Sequence, residues 1–208
     1  MNKNIKKAFG KGKAFILFIT CGDSSLEVTE RIVYAMEEAG ADLIELGIPF
    51  SDPTAEGPVI QAANVRALSG GVTTDKIFDM VRRIRQKTSI PMVFMTYANV
   101  VYSYGTERFA KAAAEIGMDG LILPDVPFEE KEEFAIPFKE HGLDLISLIA
   151  PTSHERIAMI AKEAEGFGIS EPKQAKKMAA QSDGVIVGST IVKLCEKYGA
   201  DCVPHIST

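Results

Sequence analysis

The sequence predicts an α/β fold in which short parallel strands alternate with helices and wrap into a barrel rather than an open sheet. Three observations carry that expectation. Short apolar runs alternate with amphipathic stretches of about a dozen residues, the pattern of consecutive βαβ units. One motif recurs: Gly40-Ala-Asp42-Leu-Ile-Glu-Leu, Gly117-Met-Asp119-Gly-Leu-Ile-Leu and Gly142-Leu-Asp144-Leu-Ile-Ser-Leu each read as a helix-ending glycine, a tight turn and a buried strand. No Gly-x-Gly-x-x-Gly fingerprint follows the first strand, which argues against an open dinucleotide-binding sheet.

In chain order, Lys3 to Phe9 reads as a short helix and Ala14 to Thr20 as the first buried strand. The next helix opens on a capping box, Ser24 with Glu27. Its apolar positions Ile32, Val33, Met36 and Ala39 keep a 3.6-residue period until Gly40. A second strand, Leu43 to Ile48, is apolar nearly without interruption and so predicted to be buried on both faces, except that Glu45 sits in its middle. Pro58 suits the first turn of a helix that runs to about Leu68 and stops at Gly70-Gly71. Another spans Thr74 to about Lys87, with Ile77, Met80, Val81 and Ile84 inward and Arg83, Arg85 and Lys87 near its end. Ile90 to Tyr97 and Asp183 to Gly188 are further strands; helices are expected from Ser153 to about Ala164, from about Glu171 and from about Thr190. In a barrel of this kind chemistry gathers at the C-terminal ends of strands, where Glu45, Thr96 to Asn99, Pro124-Asp125 and Gly188-Ser189 all fall.

Length and composition narrow the function classes. The 208 residues, 46% apolar and 25% charged, suit one soluble domain spanning residues 1–208. A net charge of −5 with both signs interleaved leaves no polyanion-binding face, so nucleic acid is not an expected partner. Cys21, Cys195 and Cys202 lack any Cys-x-x-Cys spacing, which points away from a zinc site or disulfide framework and towards a reducing cytoplasm. No apolar run approaches the roughly 18 residues of a membrane span, and the basic first dozen residues lack the apolar core of a secretory signal. His141, His154 and His205 read as solvated.

Two carboxylates stand out as catalytic candidates. A charge at Glu45, inside a buried strand, either raises its pKa or finds a ligand, which makes it a candidate general acid or base; the alternative is a structural pair with a neighbouring barrel Lys or Arg. Glu56 lies just ahead of Gly57-Pro58 at a helix start, where the macrodipole favours the charged form. The expectation is therefore that Glu45 tends towards protonation and Glu56 towards ionisation, dividing acid from base, although Glu56 alone also fits a plain helix-capping role. Near the chain's end, Gly168-Ile-Ser170 and Gly188-Ser189 each lead into a predicted helix, so backbone N–H groups at two helix starts are placed to converge on one phosphate; ordinary capping is the alternative.

The run Glu-Leu-Gly-Ile-Pro-Phe-Ser-Asp-Pro from Glu45, followed by Ala-Glu-Gly-Pro-Val-Ile-Gln through Gln61, resembles the most diagnostic segment of the tryptophan synthase alpha subunit family. The resemblance runs from about Lys13 to Phe167 and from Gly168 to His205. It implies a TIM-type (β/α)₈ barrel that cleaves indole-3-glycerol phosphate to indole and glyceraldehyde 3-phosphate, with no metal and no organic cofactor. By the same resemblance Glu45 is the proton-transfer group, Glu56 holds and deprotonates the indole N–H, Phe18 and Tyr97 line the indole pocket, and Gly168, Gly188 and Ser189 contact phosphate. It also implies a pyridoxal-phosphate beta subunit as partner, met around Pro49 to Pro53 and Asp125. A different phosphate-binding aldolase or isomerase is disfavoured by the Glu45/Glu56 segment and by the lack of a Lys at a buried strand end for a Schiff base.

The chain departs from that family at Ala164-Glu-Gly-Phe-Gly-Ile-Ser170, where two separate Gly-Phe segments are fused at Gly166-Phe167. About one and a half βα units are missing, among them the sixth strand with its lid loop, in keeping with a chain roughly 40 residues short of the typical 250. The barrel is thus expected to be incomplete or reclosed with fewer than eight strands. Exposed strand edges would favour self-association, and loss of the lid would impair turnover. The rival expectation is an inactive truncated barrel, serving as a folding scaffold or self-associating module. Leu17 and Ser24 also stand where the family has proline.

Overall fold

The computed structural model describes residues 2–10, 12–127, 130–149, 164–166 and 184–206. Its elements are α1 (Lys3–Phe9), β1 (Ala14–Thr20), α2 (Leu26–Glu38), β2 (Leu43–Gly47), α3 (Pro58–Ser69), α4 (Thr74–Arg85), β3 (Met92–Met95), α5 (Ala98–Tyr104), α6 (Thr106–Glu115), β4 (Gly120–Ile122), α7 (Glu132–Glu140), β5 (Asp144–Ile149), β6 (Ala164–Gly166), β7 (Gly184–Val187) and α8 (Ser189–Tyr198). The seven strands form one parallel sheet in the order β6-β5-β4-β3-β2-β1-β7. Sequential strands are neighbours except where β7 returns to β1. Residues of the terminal strands β6 and β7 approach within 8 Å, Cα to Cα, while no ladder pairing joins them among the described residues. The sheet has therefore curled into an incompletely closed TIM-type barrel.

Register separates the wall's two faces. Ile44 pairs with Met92 and Leu46 with Phe94, and the Phe94 ring lies 5.4 Å from that of Phe78 on α4 and 6.0 Å from that of Phe109 on α6. That face packs on the helices. The opposite face, which carries Ile16, Phe18 and Thr20 of β1, Leu43, Glu45 and Gly47 of β2, and Val93 and Met95 of β3, points into the barrel.

The repeated Gly-x-Asp motif has a structural role at every occurrence. Gly40, Gly117 and Gly142 take φ of 92°, 84° and 76°, the left-handed conformation that ends a helix cheaply only for glycine. In each, the following N–H bonds back to a carbonyl five residues earlier: Ala41 to Met36, Met118 to Ala113 and Leu143 to Phe138. The Asp then caps a neighbouring backbone. Asp42 accepts from the N–H of Phe15 at 2.9 Å, Asp119 from that of Met92 at 2.9 Å, and Asp144 from that of Asn2. Helix α1 closes this N-terminal end of the barrel, with Asn4 Nδ2 donating to Asp119 Oδ1 at 2.8 Å.

Three local readings need correction. The N-cap of α2 is Ser25, whose hydroxyl accepts from Val28 N at 3.2 Å, because Ser24 adopts φ 73° and lies outside the helix; proline, locked near −65°, cannot take that angle. The third strand is shorter than expected at Met92–Met95, since Tyr97 already caps α5. His141 is half-buried with Nε2 2.7 Å from Glu107, so it is not simply solvated, whereas His205 is exposed as expected, its ring stacked on Tyr198 at 3.9 Å. His154, the helix expected from Ser153 and the turn at Gly168-Ile-Ser170 lie outside the described residues.

Candidate active site

Glu45 projects into the barrel from the middle of β2 and is 1% exposed. Phe18 is its register partner on β1, and Val93 on β3. The Phe18 ring occupies the space that side chains on two flanking residues would need. A Cβ on Gly47 would fall 2.7 Å from Phe18 Cζ, and one on Gly188 would fall 3.0 Å from Phe18 Cδ1. Glycine at the end of β2 and at the β7–α8 junction thus makes room for an aromatic ring one strand position from the buried acid.

Glu56 reaches the same C-terminal rim from the loop after β2. Its Oε2 accepts from Asn64 Nδ2 on α3 at 3.0 Å, and the Tyr97 hydroxyl stands close enough to act on its carboxylate electrostatically. Tyr97, at the end of β3, is buried; its hydroxyl accepts from Ala55 N at 3.0 Å and its ring lies 5.1 Å from that of Phe50. Burial raises the Glu56 carboxyl above its ordinary value, and Asn64 and the Tyr97 hydroxyl only partly oppose that shift. The expected tilt of Glu56 towards ionisation is therefore reversed. The reason is geometric: the cap of α3 is Gly57, Glu56 precedes it, and the carboxylate turns to Asn64 and Tyr97 instead of the helix's free N–H groups. Tyr97 in turn is held in its neutral form by burial and by the Glu56 charge beside it.

On the other side of β1, α8 begins at Ser189 directly after β7, and its N-cap Gly188 makes no side-chain capping bond. Gly188 and Ser189 so place a helix N-terminus next to Phe18; Gly168, the third expected phosphate contact, lies outside the described residues. Among the described residues no cluster of His, Cys, Asp or Glu is arranged to hold a metal ion, and no helix is long and apolar enough to cross a membrane.

The sequence places Asp125 at a strand end without showing what it holds, and it gives no local signal for Asp23 and Arg66. Asp125, in the loop after β4, accepts from Ala98 N with both carboxylate oxygens at 3.1 Å and so caps α5 from the neighbouring unit. Asp23, 1% exposed after β1, receives two bonds from Arg66 on α3, Nε to Oδ1 at 2.7 Å and Nη2 to Oδ2 at 3.0 Å. Arg66 also reaches Glu196 on α8 at 3.3 Å, tying together the helices that carry Asn64 and Ser189.

The profile of the tryptophan synthase alpha chain family matches residues 5–167 and again 163–203, together nearly the whole chain. The chain belongs to the tryptophan synthase alpha chain family. The alpha chain of Geotalea uraniireducens (strain Rf4) is 42% identical over 229 aligned positions, covering 91% of this chain and 86% of the relative. The crystal structure of the alpha subunit from Legionella pneumophila str. Paris superposes with a TM-score of 0.90 at 34% identity, covering 100% of this chain and 95% of that one. The tryptophan synthase complex from Pyrococcus furiosus contributes a chain with TM-score 0.86 at 28% identity, covering 94% and 95%. Against this alpha-chain family the internal deletion is visible twice. The two matched segments overlap at residues 163–167. And because 91% of 208 residues is about 189, about 40 of the 229 positions aligned with the Geotalea chain have no residue opposite them here.

Proposed function

We propose that this chain is a tryptophan synthase alpha-type lyase that cleaves indole-3-glycerol phosphate to indole and glyceraldehyde 3-phosphate. What supports the proposal is a pair of carboxylates on one βα unit: Glu45 buried on the inner wall beside Phe18, and Glu56, in the loop that follows that strand, held by Asn64. Glu45, as the acid, delivers a proton to the ring carbon that bears the glycerol chain, while Glu56 takes the ring N–H proton. The carbon–carbon bond to the chain then breaks as the adjacent hydroxyl becomes an aldehyde and gives its proton back to Glu45. The ring nitrogen recovers its proton from Glu56, so both carboxyl groups end as they began. Phe18 and Tyr97 flank the ring, and Gly188 and Ser189, with Gly168, hold the phosphate on helix N–H groups.

The raised Glu56 carboxyl suits this division of labour, since a base whose pKa approaches the working pH transfers protons most effectively. The missing block of about 40 positions falls where the family resemblance places the lid, so turnover is slower than in a complete relative. The beta subunit is the proposed partner, docking on the exposed Ser51-Asp52 stretch between Pro49 and Pro53 and on Asp125, as the Pyrococcus neighbour belongs to a tryptophan synthase complex. Among the described residues no ladder joins β6 to β7, which supports a second reading, a barrel that self-associates without turnover. An indole-release assay on the purified chain, with and without a beta subunit, separates the two when combined with sizing at several concentrations. Release that Glu45→Gln abolishes supports the lyase. A folded chain that forms no indole and grows in size with concentration refutes it.

A further inference from the structure

We infer that Asn64 is a positioning residue for the reaction proposed above, holding the Glu56 carboxylate in the orientation in which it meets the substrate's ring N–H. This rests on the lyase reading for its ligand, and on geometry for its substance. Asn64 is 4% exposed, and its Nδ2 lies 3.0 Å from Glu56 Oε2. A carboxylate only accepts, so the amide must present its donor to it. Three residues earlier on α3, Gln61 Nε2 donates to the backbone carbonyl of Glu56 at 2.8 Å. Residues three apart share a helix face, so one face of α3 grips both the backbone and the side chain of the residue just ahead of its own N-cap. The Tyr97 hydroxyl, which accepts from Ala55 N at 3.0 Å, fixes the residue just ahead of Glu56 from the barrel wall.

The chemistry explains why an amide stands there. Glutamate has three rotatable side-chain bonds, and a base must be held within a fraction of an ångström to be effective. A lysine would pin it equally well but would neutralise its charge and weaken it as a base. An amide fixes the direction, adds no charge and leaves the carboxylate's remaining lone pairs for the substrate.

The test uses the full chain with its glutamate side chains labelled with ¹³C at the carboxyl carbon, the Glu56 signal being identified by its loss in Glu56→Gln. In Asn64→Leu, close in volume and without a donor, the Glu56 carboxyl titrates at higher pH than in the parent. In Asn64→Asp, which keeps the shape and adds a like charge, it also titrates at higher pH, so a fold failure in one variant leaves the other to decide. Turnover in both falls about 10- to 100-fold at the acid end of the profile and recovers as pH rises, with kcat affected more than KM. An unchanged Glu56 titration in a folded variant overturns the inference. A moved titration without a matching move of the pH–rate profile removes Glu56 from the mechanism and Asn64 from any catalytic role. If the parent forms no indole, the lyase reading falls on its own, and the titration still decides whether Asn64 holds Glu56.

Discussion

Phe18 is pinched between two strands, and that makes Gly47→Ala a sharp probe of the site. The added methyl would sit 2.7 Å from Cζ and 2.9 Å from Cε2 of the ring, well inside the 3.5–4.0 Å of an ordinary carbon contact. Any swing of the ring brings it towards a second close neighbour. On its other side the backbone of Gly188 already approaches so closely that its missing Cβ would lie 3.0–3.3 Å from Phe18 Cδ1, Cβ and Cγ. Overpacking of this kind costs about 1–3 kcal/mol. At about 2–4 °C per kcal/mol for a chain of this size, the melting temperature falls by about 2–12 °C. Phe18→Leu alone loses ring contacts and is mildly destabilising. In the double variant, however, the shorter side chain vacates the space the methyl needs, so the two costs do not add. Urea unfolding of the four proteins closes a double-mutant cycle, and a favourable coupling of about 1 kcal/mol or more is expected. Additivity within about 0.5 kcal/mol would show that the ring and Gly47 do not compete for the same space, and the proposed indole pocket would lose its wall.

Two further perturbations test the scaffold and the electrostatics. Asp119→Ala removes an acceptor shared by Met92 N, Asn4 Nδ2 and Arg85 Nη2 at 2.8–2.9 Å and leaves a largely buried guanidinium without its carboxylate, holding only the carbonyls of Gly117 and Ile90, for a loss of about 3–5 kcal/mol; Asp42→Ala at the equivalent repeat position forfeits one bond to Phe15 N and loses about 1 kcal/mol. Urea midpoints rank them, and equal losses would contradict the capping account. Glu56→Gln changes the pH dependence of stability: the parent's carboxyl is raised by folding above its ordinary 4.5, so its contribution is fully present below that value and is lost as pH rises through the raised one. The parent should weaken relative to Glu56→Gln across that window, and midpoints that run parallel across it would contradict the raised carboxyl.

What was legible in the sequence was what a residue's immediate neighbours determine. Glu45 was found because the apolar residues that bury it, Leu43, Ile44, Leu46 and Ile48, are its own strand. The Gly-x-Asp turns were found because a positive φ leaves its mark in a glycine, but the purpose of their Asp was not, since Phe15, Met92 and Asn2 lie on elements 27, 27 and 142 residues away. Glu56 was misread for the same reason. Its sequence neighbours announce a helix start and hence an ionised acid, whereas the groups beside it in space are Tyr97 from the next strand and Asn64 from two turns along α3. Ser24 misled on a smaller scale, its left-handed backbone shifting the cap of α2 by one residue. Of the two carboxylates, then, one has surroundings that pattern identifies and the other has surroundings that only the fold explains. The break between the two matched segments lies at residues 163–167, far along the chain from the segments that build β1, β2, β3 and α3 and carry Phe18, Glu45, Glu56, Asn64 and, just past β3, Tyr97. An excision that distant in the chain leaves the two carboxylates on the elements that carry them.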